Sequence, residues 1–276
     1  MQNFTRKIQV EGSMKSMWIG TGWKMNHLLK DALEYVEILD SFVSSAELSS
    51  NIFICVPFTV LYQVCKKLID SKILVGSQNS HWLDTGAATG EISPLMINDT
   101  GAKLVEIGHS ERRESFGEND YTVNLKVKSV LAHNLIPLIC IGETYQEKEY
   151  NVSIERLVWQ VKIALHELSN DQIHKVILAY EPVWAIGEKG APASSDYVEY
   201  VHSQIKCAVS DLLGKDDETN IPILYGGSVN KMNAISFISQ PSVDGLFIGR
   251  SAWKAEGLIS IIQDVETYLQ EQGKNK

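Results

Sequence analysis

The segment Ala179-Tyr180-Glu181-Pro182-Val183-Trp184-Ala185-Ile186-Gly187 sets a carboxylate at the end of a short apolar run. Burying a carboxylate is costly unless it is paired or used. A stiff Pro-Val-Trp entry leads from it to Gly187-Glu188-Lys189-Gly190-Ala191-Pro192, a polar tip with glycines and a proline. That composition predicts a loop from Pro182 to Pro192 able to close over the carboxylate as a lid. An ordinary connecting loop has the same composition. The run before the carboxylate, Val176–Ala179, reads as a strand buried on both faces.

Seven more runs of this kind lie on either side of it: Met17–Gly22, Ile52–Val56, Ile73–Gly76, Leu104–Gly108, Ile136–Ile141, Ile221–Tyr225 and Val243–Ile248. Amphipathic stretches separate most of them. Leu28–Phe42 places Leu29, Leu33, Val36 and Leu39 roughly on one face, and Asn151–Leu168 and Asp196–Leu213 behave similarly. Periodicity is weakest between Gln78 and Lys103, which predicts a long loop with at most a short helix. Eight strands alternating with helices give a parallel α/β fold. A chain of 276 residues suits one barrel domain over 17–276, behind a polar extension over 1–16. Gly12-Ser13-Met14 reads as a cloning scar ahead of a natural start at Met14, and the extension lacks the pattern of a signal peptide. Alternation alone fits a closed (β/α)8 barrel and an open doubly wound sheet equally.

The net charge of −9 argues against nucleic acid or an anionic membrane as partner. No apolar run is long enough to span a bilayer. The four cysteines, Cys55, Cys65, Cys140 and Cys207, form no C-x-x-C pair and no zinc pattern, so no metal is expected. Their apolar neighbours predict buried free thiols and hence a reducing cytoplasm. An anionic substrate would need local positive groups to overcome the overall charge.

In a barrel, reacting groups follow the C-terminal ends of strands. The first strand runs into Trp23-Lys24-Met25-Asn26, where Lys24 is either an anion binder or a solvated surface lysine. The fourth runs into Ile107-Gly108-His109-Ser110-Glu111-Arg112-Arg113. Ser110 there can cap a helix, which would set His109 near a helix N-terminus and favour a neutral imidazole donor. A structural histidine and a plain ion-pair cluster of Glu111 with the arginines are the competing readings. The turns Tyr225-Gly226-Gly227-Ser228 and Gly249-Arg250-Ser251 can cradle phosphate through backbone N–H groups, or be plain turns. Taken together, these groups supply a base, an electrophile and a phosphate grip.

At these residues the chain resembles the triosephosphate isomerase family. Thr89-Gly90-Glu91-Ile92-Ser93 and Cys140-Ile141-Gly142-Glu143 match as well, and the similarity runs from about Met17 to about Lys254. The resemblance implies the closed barrel, and it brings with it that family's Glu base beside a neutral His, which the residues alone do not derive. It implies that Glu181 moves the proton, that His109 and Lys24 polarise the carbonyl, and that Glu111 supports Lys24. It implies that Gly187, Ser228, Gly249 and Arg250 hold a phosphate, with no cofactor. It further implies a homodimer in which the loop around Thr89 reaches the neighbouring active site. A cytoplasmic place in glycolysis and gluconeogenesis follows from the family's usual reaction.

Four positions depart from the family pattern, all at the substrate site. Gly22 replaces an Asn whose amide contacts substrate. The lid tip over 188–192 differs, Arg250 replaces a Gly, and Phe247 replaces a Leu near the base. The family's common reaction, glyceraldehyde 3-phosphate to dihydroxyacetone phosphate, ranks first. A four-carbon ketose phosphate such as erythrulose phosphate is the alternative, with space freed at Gly22. A non-catalytic barrel serving as a binding or scaffold protein, and a phosphate-binding decarboxylase or synthase, are the competing classes. A scaffold has no physical need of Lys24, His109 and Glu181 together, and a decarboxylase or synthase shares the phosphate turns but does not explain the Glu181-Pro182-Val183-Trp184 lid.

Overall fold

The computed structural model describes residues 17–186, 192–214 and 221–274. Eight parallel strands close on themselves in sequence order. They are β1 (Trp18–Gly22), β2 (Asn51–Val56), β3 (Leu74–Ser77), β4 (Leu104–Ile107), β5 (Ile136–Ile141), β6 (Ile177–Tyr180), β7 (Ile223–Tyr225) and β8 (Gly245–Ile248). The closing pair sets Gly20 opposite Phe247 and Thr21 opposite Ile248. This is the (β/α)8 barrel, and the open sheet is excluded.

Successive side chains alternate between two apolar layers, as strand geometry requires. Phe53, Cys55, Leu104, Leu138, Cys140, Ile177, Ala179, Leu224 and Phe247 fill the interior. Ile54, Val105, Ile107, Ile139, Leu178 and Tyr180 face the helices. Every strand is therefore buried on both sides, which is why the runs read as continuously apolar. Phe53 and Phe247 stack in the interior with ring centres 5.6 Å apart and make a rigid floor under the barrel mouth.

The helix after β1 spans Leu29–Ser45 and buries Ala32, Tyr35, Val36, Leu39 and Val43. Its inner face is thus turned from the expected one, and Leu29 is exposed. The segment after β3 is a long loop with one short helix, Pro94–Asp99, capped by the Ser93 hydroxyl. Cys55, Cys65 and Cys140 are buried, but Cys207 is exposed. The amphipathic helix Ser195–Leu213 turns that position outward, so the expectation for Cys207 is corrected. The N-terminal extension over 1–16 lies outside the described residues.

Candidate active site

A pocket of about 300 Å³ opens at the C-terminal mouth of the barrel, and Gly22, Lys24, His109, Glu111, Glu181, Ser228, Gly249 and Arg250 all line it. Sequence positions up to 228 residues apart are brought together by strand ends alone. Gly187 and the lid tip over 187–191 lie outside the described residues.

Lys24 leaves β1 with φ of 54°, a left-handed backbone uncommon for a residue with a side chain. Its Nζ lies 2.6 Å from Glu111 Oε1. Glu111 therefore pairs with Lys24. The arginines beside it do structural work: Arg112 Nε donates to Glu118 at 2.9 Å, and Arg113 Nε donates to the Gly108 carbonyl at 2.6 Å. Glu118 also accepts from the Gly108 N–H at 2.7 Å, which fixes the turn ahead of His109.

His109, not Ser110, caps the short helix Ser110–Ser115. The Glu111 N–H donates to His109 Nδ1 at 3.1 Å. That nitrogen thus carries no proton, and the other, Nε2, turns its N–H toward the pocket. His109 stands at the helix start as expected, while the cap expected of Ser110 is corrected: an imidazole nitrogen, rather than a hydroxyl, takes the orphan N–H.

Glu181 stands one residue beyond β6, is 4% exposed, and lies with Oε2 3.4 Å from His109 Nε2. Its Cγ packs over Gly226, where a Cβ would come within 2.6 Å of it. Only glycine at 226 admits the carboxylate in this position. Oε2 is buried without a hydrogen-bond partner among the described residues. Burial pushes the Glu181 carboxyl up, His109 and Lys24 pull it back, and Glu111 adds to the rise. An oxygen left unpaired and a raised pKa are what a base for a carbon acid requires.

Two carboxylates were given no role by the sequence reading: Glu143 entered it only within a matching segment, and Glu106 not at all. Glu106, on the inner face of β4, lines the same pocket and is 5% exposed. A charged residue inside an apolar strand was the available signal, but a strand buried on both faces does not say which face it uses. Glu143, after β5, accepts from Tyr180, Tyr197 and Trp184, the last at 2.8 Å. It ties down the start of the loop that follows Glu181, helped by Lys148 Nζ 3.3 Å from the Trp184 ring centre.

At Gly22, a Cβ would lie 3.0 Å from Phe247 Cζ and 3.4 Å from Glu106 Oε2. The room freed by the missing side chain is thus occupied by the Phe247 ring and faced by the Glu106 carboxyl. The Trp253 indole N–H donates to the Gly22 carbonyl at 3.2 Å and holds that end of β1 against the turn after β8.

The family model described as triosephosphate isomerase matches residues 17–265. The chain belongs to the triosephosphate isomerase family. It is an intramolecular isomerase of sugar phosphates. Among its relatives, an L-erythrulose-1-phosphate isomerase from Mesorhizobium japonicum is 49% identical over 246 residues, covering 89% of this chain and 95% of that protein. One of the same name from Brucella abortus is 45% identical over 258 residues, covering 93% and 99%. The crystal structure of triosephosphate isomerase from Bartonella henselae superposes with a TM-score of 0.80 at 34% identity, over 90% of this chain and 99% of that one. In this member of the triosephosphate isomerase family, Lys24, His109 and Glu181 stand around one pocket that Gly22, Glu106 and Phe247 also line.

Proposed function

We propose that the chain isomerises L-erythrulose 1-phosphate, with Glu181 as base, His109 and Lys24 at the carbonyl oxygen, and Glu111 holding Lys24. The observation that carries this reading is the four-carbon substrate in the names of the Mesorhizobium and Brucella relatives. The order of the two sequence-based alternatives is thereby reversed. L-Erythrulose 1-phosphate is dihydroxyacetone phosphate with one extra hydroxymethyl group on the carbon that loses its proton, so the same three residues serve both reactions.

Glu181 takes the C3 proton, and the electron pair shifts through C2 onto the carbonyl oxygen. Lys24 and the His109 Nε2–H stabilise that charge. After the oxygens exchange a proton, Glu181 returns its own to C2, and the ketone stands at C3. The product, numbered from its other end, is erythrulose 4-phosphate. The phosphate lies against the turns at Ser228 and Gly249, with the Arg250 guanidinium offsetting the acidic total charge. Gly187 and the lid belong to the same reading.

A homodimer in the cytoplasm completes the proposal. The loop over 83–91 is exposed but for Ala88, Thr89 at its tip, and Met25, next to Lys24, is 98% exposed. A partner covering Met25 would brace the left-handed turn at Lys24. The test is turnover of L-erythrulose 1-phosphate and of dihydroxyacetone phosphate by the purified enzyme, with sedimentation at assay concentration. A kcat/KM at least about tenfold higher for the four-carbon substrate is the expected result. A clear preference for the triose refutes the proposal.

A further inference from the structure

The chemistry just described leaves one buried carboxyl of the pocket unused. Glu106 is 5% exposed, and no described group hydrogen-bonds its carboxyl. By strand alternation it is the one acidic side chain at an inward-facing position of the described strands. Its oxygens look into the pocket beside Gly22 and Phe247. Buried polar groups are nearly always paired, and an unpaired one costs stability. The Glu106 carboxyl opens onto the pocket, so its partner comes from there: water in the free enzyme, or a polar group of the substrate when one is bound.

We propose that Glu106 binds the terminal hydroxymethyl group of the four-carbon substrate and so selects four carbons over three. This inference rests on the function proposed above. The directions available to the substrate place the groups. Its phosphate takes the turns at Ser228, Gly249 and Arg250, its carbonyl oxygen takes Lys24 and His109, and its reacting carbons lie at Glu181. Of the lining that remains, Gly22, Phe247 and Glu106 form the floor, and Glu106 alone there carries a polar side chain with no assigned contact. That is where a substituent on the proton-losing carbon, pointing away from the phosphate, has to go.

The chemistry of the floor agrees. Burial, and next the neighbouring Glu181 carboxylate, push the Glu106 carboxyl well above its ordinary range, with Lys24 a weaker opposing influence. A protonated carboxyl donates from one oxygen and accepts at the other, which suits an uncharged hydroxyl that does both. Its acceptor oxygen finds no donor on a fully ionised phosphate, whereas the hydroxyl uses both of its oxygens. The Phe247 ring, stacked on Phe53, walls the carbon of the added group. A triose leaves Glu106 to the water it has in the free enzyme. Sites built to bond a hydroxyl discriminate strongly against ligands lacking it.

The test compares kcat/KM for L-erythrulose 1-phosphate and dihydroxyacetone phosphate in the parent, in Glu106→Gln and in Glu106→Val, with the melting temperature of each. The expected result is a fall in the four-carbon to three-carbon ratio of about tenfold or more in Glu106→Val, and a smaller fall in the amide variant. The melting temperature of Glu106→Val should rise, because a buried carboxyl that no described group pairs is removed. An unchanged ratio in both variants, with a parent active on the four-carbon substrate, overturns the role of Glu106 alone. A parent inactive on that substrate overturns this inference together with the proposed function. A Glu106→Val protein that melts lower or fails to fold shows a structural role and also overturns the inference.

Discussion

β4 and β6 each deliver a buried carboxyl to the same pocket, yet their surroundings divide the labour. Glu181, just past β6, has His109 and Lys24 drawing it toward the ionised form against the cost of burial. Glu106, within β4, has Lys24 as its opposing cation and Glu181 pushing it further up. An ionised Glu181 raises Glu106, whereas a Glu106 that is already neutral does not raise Glu181. Of two like groups in one cavity, the one with the stronger opposing influences takes the charge and the other keeps the proton. The proposed base and the proposed hydroxyl binder are thus distinguished by position along a strand, not by residue type.

The strongest way to break this comparison is at the base. Glu181→Gln should lower kcat by about a thousandfold or more, since it removes the proton acceptor. Glu181→Asp, which withdraws the oxygens by one methylene, should cost on the order of a hundredfold. Exchange of carbon-bound hydrogen with deuterated solvent, followed by NMR, reads the step directly. Near-parental exchange in Glu181→Gln would falsify the assignment.

The floor supplies the next effect. Gly22→Asn alone meets the Phe247 ring at 3.0 Å, so the new side chain is crowded. Combined with Phe247→Leu it gains room. The pair should shift the kcat/KM ratio toward the triose by about tenfold, and by more than either change alone. Equal shifts in the single and double variants would show that the ring does not limit the site.

A smaller effect concerns pH. Because burial raises the Glu181 carboxyl, the acid limb of kcat/KM should fall at a pH above the ordinary glutamate value of 4.5. A limb at or below that value contradicts the environment described here. The smallest effect is on stability. The native state holds the Glu106 proton at pH values where the unfolded chain, near 4.5, has released it. Stability from this group is full below 4.5 and is lost as pH rises toward the folded value. The gain in melting temperature of Glu106→Val should therefore be a few degrees at neutral pH and shrink in acid. A gain that is constant with pH would mean that packing, not charge, is responsible.

All eight strands were legible because both faces of each are buried, leaving uninterrupted apolar runs. Lys24, His109 and Glu181 were legible because they follow strand ends in short distinctive segments. The pairing of Glu111 with Lys24 came only with the family resemblance; spacing pointed to the adjacent arginines, which turn away to Glu118 and Asp120. Glu106 was hidden by the same double burial that made β4 easy to find. Cys207 was misjudged because an amphipathic helix has an outer face. The Phe247 ring beside Gly22 joins residues 225 apart, a contact made by barrel closure, which no local pattern encodes.

That closure has a consequence for the order in which the enzyme comes into being. Phe247 lies on β8 and Gly22 on β1, and the two strands meet only when the last of the eight pairs with the first. A ribosome delivers β1 early and β8 late. On the growing chain Glu181 and Lys24 can already exist while the wall between them and the interior does not. The pocket is therefore incomplete until the final strand docks, because Phe247, Ile248, Gly249 and Arg250 all line it, and the same event closes both the fold and the site.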